Sequence, residues 1–185
     1  MTYWLLTTEY PPFYGGGIST YCGITAAMLA GEGHGVTVFV SDNSVDNVVV
    51  ATQAGVRLVR FKPDAGKYSA FIGHATEVSY GFAQVVRQFI ENEGAPDVIE
   101  AQEYQGIAYF LLQYKTLRYS WCRTIPVVIT LHSPAWLYLQ YNQAPVYKYP
   151  FFWIGEMERF SLQAADVVIA PSRYMLNEVR QAFEL

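Results

Sequence analysis

The stretch Glu9-Tyr-Pro-Pro-Phe-Tyr-Gly-Gly-Gly-Ile-Ser-Thr-Tyr21 decides how the start of this chain folds. It follows a short apolar run, Tyr3–Leu6, that predicts a first strand, and it leads into a helical spacing of apolar residues. Because glycine has no Cβ, three consecutive glycines leave the backbone open to close approach. A helix that begins at Gly17 or Ile18 turns its free N–H groups and its positive dipole end towards the loop. These features favour an anion site, most often for a phosphate.

Strands and helices alternate along the remainder of the chain, since each short apolar run is followed by a helical pattern. Val48–Ala51 and Val56–Phe61 predict two short strands that form a hairpin or an excursion from the main sheet. The runs that predict the other strands are Tyr3–Thr7, Val36–Val40, Asp97–Glu100, Ile125–Leu131 and Val167–Ala170. This order predicts an α/β fold, a doubly wound and mainly parallel sheet in one domain over residues 1–185.

Composition narrows the classes of function. Hydrophobic residues make up 52% of the chain and charged residues 15%, which is typical of a sheet covered on both faces. The net charge of −4 argues against binding to nucleic-acid phosphates. Cys22 and Cys122 have no metal-ligand spacing, so neither a metal nor another cofactor is expected. The absence of a disulfide framework, a signal peptide and a long apolar span predicts a cytoplasmic location.

Ligands of doubly wound sheets bind beyond the carboxyl ends of the strands. Ser172 is expected to cap the last helix, and His132 either has a structural role or hydrogen-bonds a hydroxyl as a neutral ring. Glu103 and Tyr104 either belong to a solvated loop or bind a polyhydroxylated acceptor. The polar residues that follow the predicted strands are Glu9 with the glycine loop, Asp42, Glu103, His132 and Ser172.

An aromatic segment lies between Trp136 and Trp153. Ordinary packing is the interpretation for Phe151–Trp153, which begin a predicted helix, whereas Trp136 and Tyr138 are predicted to lie nearer the cleft. A surface on which sugar rings stack is a second interpretation, and an apolar patch for a lipid acceptor or a membrane surface is a third. The other aromatic residues of the segment are Tyr141, Tyr147, Tyr149, Phe151 and Phe152.

A dinucleotide fingerprint is the first alternative for the glycine loop. Gly15 and Gly17 fit the G-x-G-x-x-G pattern, but Thr20 stands where the third glycine is required. Asp42 follows the second strand, where an acid that binds the ribose is found in such folds. A dinucleotide-binding module with Asp42 on the ribose therefore stays open. A Walker loop is excluded, because the loop contains no Gly-Lys-Ser/Thr sequence.

A set of segments spread over nearly the whole chain occurs in a characteristic order. They are Glu9–Pro12, Gly15–Tyr21, Leu29, Gly33–Val38, Pro96–Glu100, Val127–His132, Ala165–Ser172 and Met175. In this order they resemble the start of family-four retaining glycosyltransferases. The resemblance implies a GT-B fold, in which two Rossmann-like domains enclose the active site. It is confined to the N-terminal, acceptor-side domain, and nothing in residues 1–185 is similar to the C-terminal domain that binds the donor.

The resemblance also implies roles for individual residues. Gly16 and Gly17 match the glycines that approach the diphosphate of a nucleotide-sugar donor, and His132 matches the histidine that faces the donor sugar. Glu103, Tyr104, Trp136 and Tyr138 fall in regions that resemble acceptor-side loops.

The enzyme is then expected to transfer a sugar to a glycan, a lipid or a small molecule, with this domain inactive alone. Peripheral contact with the inner face of the membrane is the alternative to a purely cytoplasmic location. A non-enzymatic α/β interaction domain, binding its partner through the aromatic segment, is the second alternative function.

Overall fold

Seven strands form one sheet in the computed structural model, which describes residues 1–64, 66 and 69–185. The strands are β1 (Thr2–Thr7), β2 (Gly35–Ser41), β3 (Val49–Gln53), β4 (Val56–Phe61), β5 (Val98–Gln102), β6 (Val127–Thr130) and β7 (Val167–Ile169). Their spatial order is β3-β4-β2-β1-β5-β6-β7, and all neighbours are parallel except β3 and β4. The predicted doubly wound, mainly parallel α/β sheet is confirmed.

Helices cover both faces of this sheet. They are α1 (Gly17–Gly31), α2 (Ser69–Ile72), α3 (His74–Glu93), α4 (Tyr109–Thr116), α5 (Ala135–Tyr141), α6 (Phe151–Ala164) and α7 (Arg173–Phe183). A 3₁₀ turn over Tyr104–Gly106 precedes α4. Helix α4 begins only at Tyr109, because Gln105 in this turn has a left-handed backbone with φ of 58°. The Ser172 hydroxyl accepts from the Met175 N–H at 3.1 Å, which confirms the predicted cap of α7.

Alternate residues of the central strand β1 face two different cores, as the period of a strand requires. Trp4 and Leu6 pack into the larger core with the buried faces of α3 and α4. Leu5 points to the other face and packs with Cys22 and Ala26 of α1. Apolar burial on both faces explains why the strand sequences are continuous apolar runs.

The antiparallel pair β3 and β4 forms the predicted hairpin at one edge of the sheet. Its turn consists of Ala54 and Gly55, which have φ of 49° and 80°, and two left-handed residues are what a tight hairpin turn requires. The excursion lies at the far edge from β7. It leaves the carboxyl ends of β1, β5, β6 and β7 free to form a cleft.

The strand register brings those carboxyl ends to the same edge of the sheet. Leu6 of β1 pairs with Ala101 of β5, which pairs in turn with Ile129 of β6. Thr130 pairs with Ile169 of β7. The strand order changes direction at β1, which lies between β2 and β5, and such a switch point is where doubly wound sheets bind ligands.

Candidate active-site cleft

A cleft of about 540 Å³ opens at the carboxyl ends of β1, β6 and β7. Predicted site residues from three strand-to-helix connections and from helix α5 line it, and they are Gly16, Gly17, Tyr104, His132 and Tyr138. These residues are far apart in sequence, and the parallel register explains why they meet. The structure therefore brings the glycine loop and the histidine into one cavity, of a size suited to a small ligand.

The two cleft glycines differ in what their backbone demands. Gly16 has φ of +145°, and a Cβ built there would lie 2.7 Å from Glu9 Oε2, so a side chain conflicts with the fold itself. Gly17 has no such strain, and a Cβ built there would meet nothing within 4 Å. A side chain at Gly17 would thus occupy open space beside the cleft, and would interfere with a ligand rather than with the protein.

Helix α1 begins at this point without a side-chain cap. Gly16 is its N-cap residue and has no side chain that could accept from the first N–H groups of the helix. The first turn contains no acidic residue. The first N–H groups of a helix have no partner within the helix. They are therefore available to an anion, together with the positive end of the helix dipole.

Local hydrogen bonds hold the glycine loop in place. The N–H groups of Phe13 and Tyr14 both donate to the Tyr10 carbonyl, at 3.0 and 3.1 Å. The buried Ser19 hydroxyl donates back to the Tyr14 carbonyl at 2.5 Å, and the Thr20 hydroxyl donates to the Gly16 carbonyl at 2.8 Å. The long loop is thus ordered by its own residues, from Tyr10 to Thr20.

His132 stands at the end of β6 with its ring half-buried. Its ring meets the Tyr21 ring edge-to-face, with 4.9 Å between centroids. Burial lowers the pKa of His132, although the nearby Glu100 carboxylate opposes this effect. A lowered pKa favours the neutral imidazole at physiological pH, which can donate to or accept from a hydroxyl group.

A buried carboxylate, Glu100, lies beneath this part of the cleft and is 2% exposed. One oxygen accepts from the Tyr21 hydroxyl at 2.8 Å and from the Thr130 hydroxyl at 2.6 Å, and the other accepts from Tyr3. Tyr21 and Thr130 themselves line the cleft. Burial, followed by the charge of Glu100, raises the pKa of Tyr21 to about 12, so its hydroxyl remains a donor.

The sequence model of the family described as "Glycosyl transferase 4-like domain" matches residues 16–184. The chain belongs to this family. The resemblance inferred from the ordered segments is therefore confirmed, and the cleft is that of a glycosyl transferase 4-like domain. No curated protein is similar enough in sequence to match the chain.

Solved structures are similar to this glycosyl transferase 4-like domain at low sequence identity. The catalytic domain of starch synthase IV from Arabidopsis thaliana, bound to ADP and acarbose, is 14% identical with a TM-score of 0.55, over 71% of this chain and 34% of that chain. The trehalose-6-phosphate synthase OtsA is 15% identical with a TM-score of 0.47, over 100% and 43%. The first likeness shows the fold. The chain spans less than half the length of either protein.

Two buried carboxyls, which do not line the cleft, support the loop after β6 of this glycosyl transferase 4-like domain. Glu103, predicted to bind an acceptor, is 0% exposed and accepts from the His132 N–H at 2.7 Å. Glu158 of α6, which the sequence did not single out, is also 0% exposed. It accepts from the N–H groups of Gln105, Ala135 and Trp136, at 2.9, 2.6 and 3.0 Å.

The expectation that Trp136 lies nearer the cleft is not met. Its ring packs on Gly155 of α6, where an added Cβ would lie 2.2 Å from Trp136 Cε3. Helix α5, from Ala135 to Tyr141, causes this placement, because it directs the Trp136 side chain towards α6. Tyr138, three residues from Ala135 on the same helix, does line the cleft and is 59% exposed.

Asp42 is not available to a ribose, which removes the support for the dinucleotide alternative. It is 2% exposed, and its carboxylate accepts from Arg60 at 2.6 and 2.7 Å and from the Ser44 N–H at 2.8 Å. Burial opposes ionisation, but the hydrogen bonds from Ser44 and Arg60 prevail and lower the pKa of Asp42. Asp42 therefore holds the turn after β2.

Over residues 1–64, 66 and 69–185, no group of three or more His, Cys, Asp or Glu side chains could hold a metal ion. Within the same residues, the helices are all too short or too polar to cross a membrane.

Proposed function

We propose that this chain forms the acceptor-side half of the active site of a retaining glycosyltransferase, which transfers a sugar from a nucleotide-sugar donor to an acceptor. One observation carries the proposal. The uncapped N-terminus of α1 and the His132 ring line the same cleft, with open space at Gly17 between the helix and the ligand. The proposed reaction uses no metal ion or other cofactor.

In the proposal, the glycine loop binds the diphosphate of the donor. Negative charge grows on the leaving nucleotide as the glycosidic bond breaks, and N–H groups aimed at that charge stabilise the transition state. The first N–H groups of α1 have this property, because no side chain caps them. The open space at Gly17 is what a bulky phosphate needs to reach them.

His132 is proposed to hydrogen-bond a hydroxyl of the donor sugar near the reacting carbon. The neutral ring that its burial favours suits an uncharged sugar better than a cation would. The Tyr21 ring fixes the orientation of the imidazole through its edge-to-face contact. Tyr104 and Tyr138 line the same cleft and are proposed to stack on the acceptor or to hydrogen-bond its hydroxyls.

The nature of the acceptor is proposed from the exposed aromatic residues beyond Tyr138. Tyr147, Tyr149 and Phe152 are 74%, 59% and 48% exposed. Such a group of exposed rings suits an acceptor with an apolar part, and peripheral contact with a membrane that carries it. We propose that the donor nucleotide is bound chiefly by a second domain, and that this chain alone is inactive.

The complete product of the gene that encodes this chain should be incubated with a panel of nucleotide sugars and polyhydroxylated acceptors. The expected result is transfer with the anomeric configuration of the donor kept, read by proton NMR, and no transfer by residues 1–185 alone. Inversion of the configuration, or hydride transfer with a nicotinamide cofactor, would contradict the proposal. Transfer by residues 1–185 alone would contradict the division into two halves.

A further inference from the structure

Two buried carboxyls from distant elements accept hydrogen bonds from the loop that carries His132. Glu103 follows β5, Glu158 belongs to α6, and both side chains are 0% exposed. Within residues 1–64, 66 and 69–185, no lysine or arginine forms an ion pair with either. Two buried negative charges without a cation are unfavourable, so the protonation state of this pair needs an explanation.

The partners of Glu158 are those of an ionised carboxylate. Its Oε1 accepts from the N–H groups of Gln105 and Ala135, and its Oε2 accepts from Trp136. Three N–H donors on the two oxygens favour the ionised form, and a proton on Oε1 would have to compete with two of them. Gly106 allows this geometry, because a Cβ there would lie 2.5 Å from Met157 Cβ and 3.1 Å from the Glu158 nitrogen, and would push α6 away.

The partners of Glu103 are different. Its Oε1 accepts from the His132 N–H, but its Oε2 is buried with no hydrogen-bond partner among the described residues. Burial raises the pKa of Glu103, and the backbone N–H of His132 only partly offsets the effect. Burial also raises the pKa of Glu158, to about 8, and the charge of Glu103 adds to it, so the two carboxyls titrate as a coupled pair. Burial alone would place the proton on Glu158, whereas the three N–H donors to Glu158 and the unpartnered Oε2 of Glu103 place it on Glu103.

Two titratable side chains near the pair are neutral at physiological pH. They are His132, whose pKa is lowered by burial, and Tyr104, whose pKa is raised by burial and by the charge of Glu158. Neither supplies a positive charge to the carboxyls. On α6 itself, Arg159 is 2.6 Å from Glu156 and is thus engaged elsewhere. A proton on one of the two carboxyls removes one of the two buried negative charges.

We propose that the two carboxyls hold one proton at neutral pH, carried on Oε2 of Glu103, and that ionised Glu158 with neutral Glu103 anchors the loop from His132 to Trp136. Glu158 is then a positioning residue. It fixes the start of α5, while Glu103 fixes the His132 backbone. The significance of this anchor for catalysis rests on the proposed function, whereas the proton and the anchor do not depend on it.

Glutamine tests the assignment, because it has the shape of glutamic acid but cannot ionise. In Glu103→Gln the amide oxygen can still accept from His132, and the uncharged group replaces an uncharged acid. In Glu158→Gln the amide NH₂ must face a backbone N–H, so one of the donors loses its acceptor. The same Glu→Gln substitution should therefore disturb the loop more at Glu158 than at Glu103.

The experiment uses residues 1–185 labelled with ¹³C in the glutamate side chains, and follows the carboxyl signals by NMR from pH 5 to pH 9. One carboxyl signal is expected to keep the chemical shift of the protonated form at pH 6.5. Glu103→Gln should remove this signal and leave the His132 amide signal near its original position. Glu158→Gln should move the His132 and Trp136 amide signals, in a variant that still folds.

Two results would overturn the proposal. If all glutamates are ionised at pH 6.5, the pair holds no proton. If Glu158→Gln removes the protonated signal and Glu103→Gln does not, the proton is on Glu158 and the roles are reversed. If Glu158→Gln fails to fold, Glu158→Asp gives the same readout of the His132 amide. These measurements need no transfer activity, so they succeed or fail independently of the proposed function.

Discussion

The two walls of the cleft are built by opposite means. The glycine loop offers backbone N–H groups, and its supporting hydrogen bonds come from residues between Tyr10 and Thr20. The loop with His132 offers a side chain, and its supports are buried carboxyls 29 and 23 residues away from the N–H groups they hold. The glycine loop can expose its N–H groups only where side chains are absent. The loop with His132 needs buried carboxyls that fix its backbone, because its functional group is a side chain.

The largest effect is expected from placing a side chain on the backbone wall. In the complete gene product, Gly17→Val should lower kcat/KM by about 100-fold or more, since losing N–H stabilisation of a developing charge costs about 10²–10³ in rate. The melting temperature should change little, because a Cβ at Gly17 meets nothing within 4 Å. Steady-state transfer and thermal unfolding measure the two quantities.

Gly31 provides the matched control for that substitution. It lies at the other end of α1, and a Cβ there also meets nothing within 4 Å. Gly31→Val should leave transfer within about twofold of the wild type. Equal losses in both variants would show that valine harms the helix rather than the approach of the diphosphate.

Removal of the Glu158 carboxylate tests how the loop that carries His132 is held, and the quantity measured is the free energy of unfolding. Glu158→Ala leaves three backbone N–H groups without an acceptor, and should lower the free energy of unfolding by about 3 kcal/mol. Glu156→Ala is the control on the same helix, since its ion pair with Arg159 is partly exposed and contributes about 1 kcal/mol or less. Urea unfolding of both variants decides the matter, and similar losses would contradict the anchoring role.

Removal of the His132 side chain should lower turnover more than it lowers stability. His132→Ala removes a hydrogen bond to the donor sugar and is expected to lower kcat about 10- to 100-fold. His34→Ala, in the turn before β2, is the control and should have no effect on transfer. A His132→Ala protein that merely unfolds at a lower temperature, with normal turnover, supports the structural alternative for this histidine.

The smallest effect concerns the dependence of stability on pH. Burial raises the pKa of Glu103 to about 7 from 4.5. The unfolded chain therefore releases this proton at lower pH than the folded chain, so stability is lost as the pH rises from about 4.5 to about 7. Glu103→Gln should flatten this decline and raise the melting temperature at pH 8 by a few degrees. An unchanged slope between pH 5 and pH 8 would contradict the shift.

The sequence predicted the backbone wall better than the side-chain wall, for a physical reason. Three consecutive glycines between a strand and a helix can be recognised in the sequence itself. The start of α1 at Gly17 was therefore predicted correctly. The alternation of strands and helices and the position of His132 after a strand also follow from local patterns. The role of Glu158 depends on how α6 packs against the turn at Gly106, and no local pattern reports that contact.

Trp136 and Glu100 also depend on long-range contacts that the local sequence does not report. The aromatic composition suggested that Trp136 belongs to the cleft, but the direction of a side chain on α5 is set by packing on Gly155. Glu100 is an acidic residue within the strand β5 and is buried. Its presence in an otherwise apolar run is the sequence feature that could have indicated a buried hydrogen-bond network. Its partners Tyr3 and Tyr21 are 97 and 79 residues away, which only the fold brings together.

The central claim is that the N-terminus of α1 holds the donor diphosphate, and one spectrum tests it directly. The complete gene product, labelled with ¹⁵N in its glycines, is titrated with UDP and with ADP. The Gly17 amide signal, identified by its loss in Gly17→Ala, should move on saturation while the Gly31 signal stays in place. If the Gly17 signal stays in place while a nucleotide is bound, the diphosphate lies elsewhere and the account of this cleft is wrong.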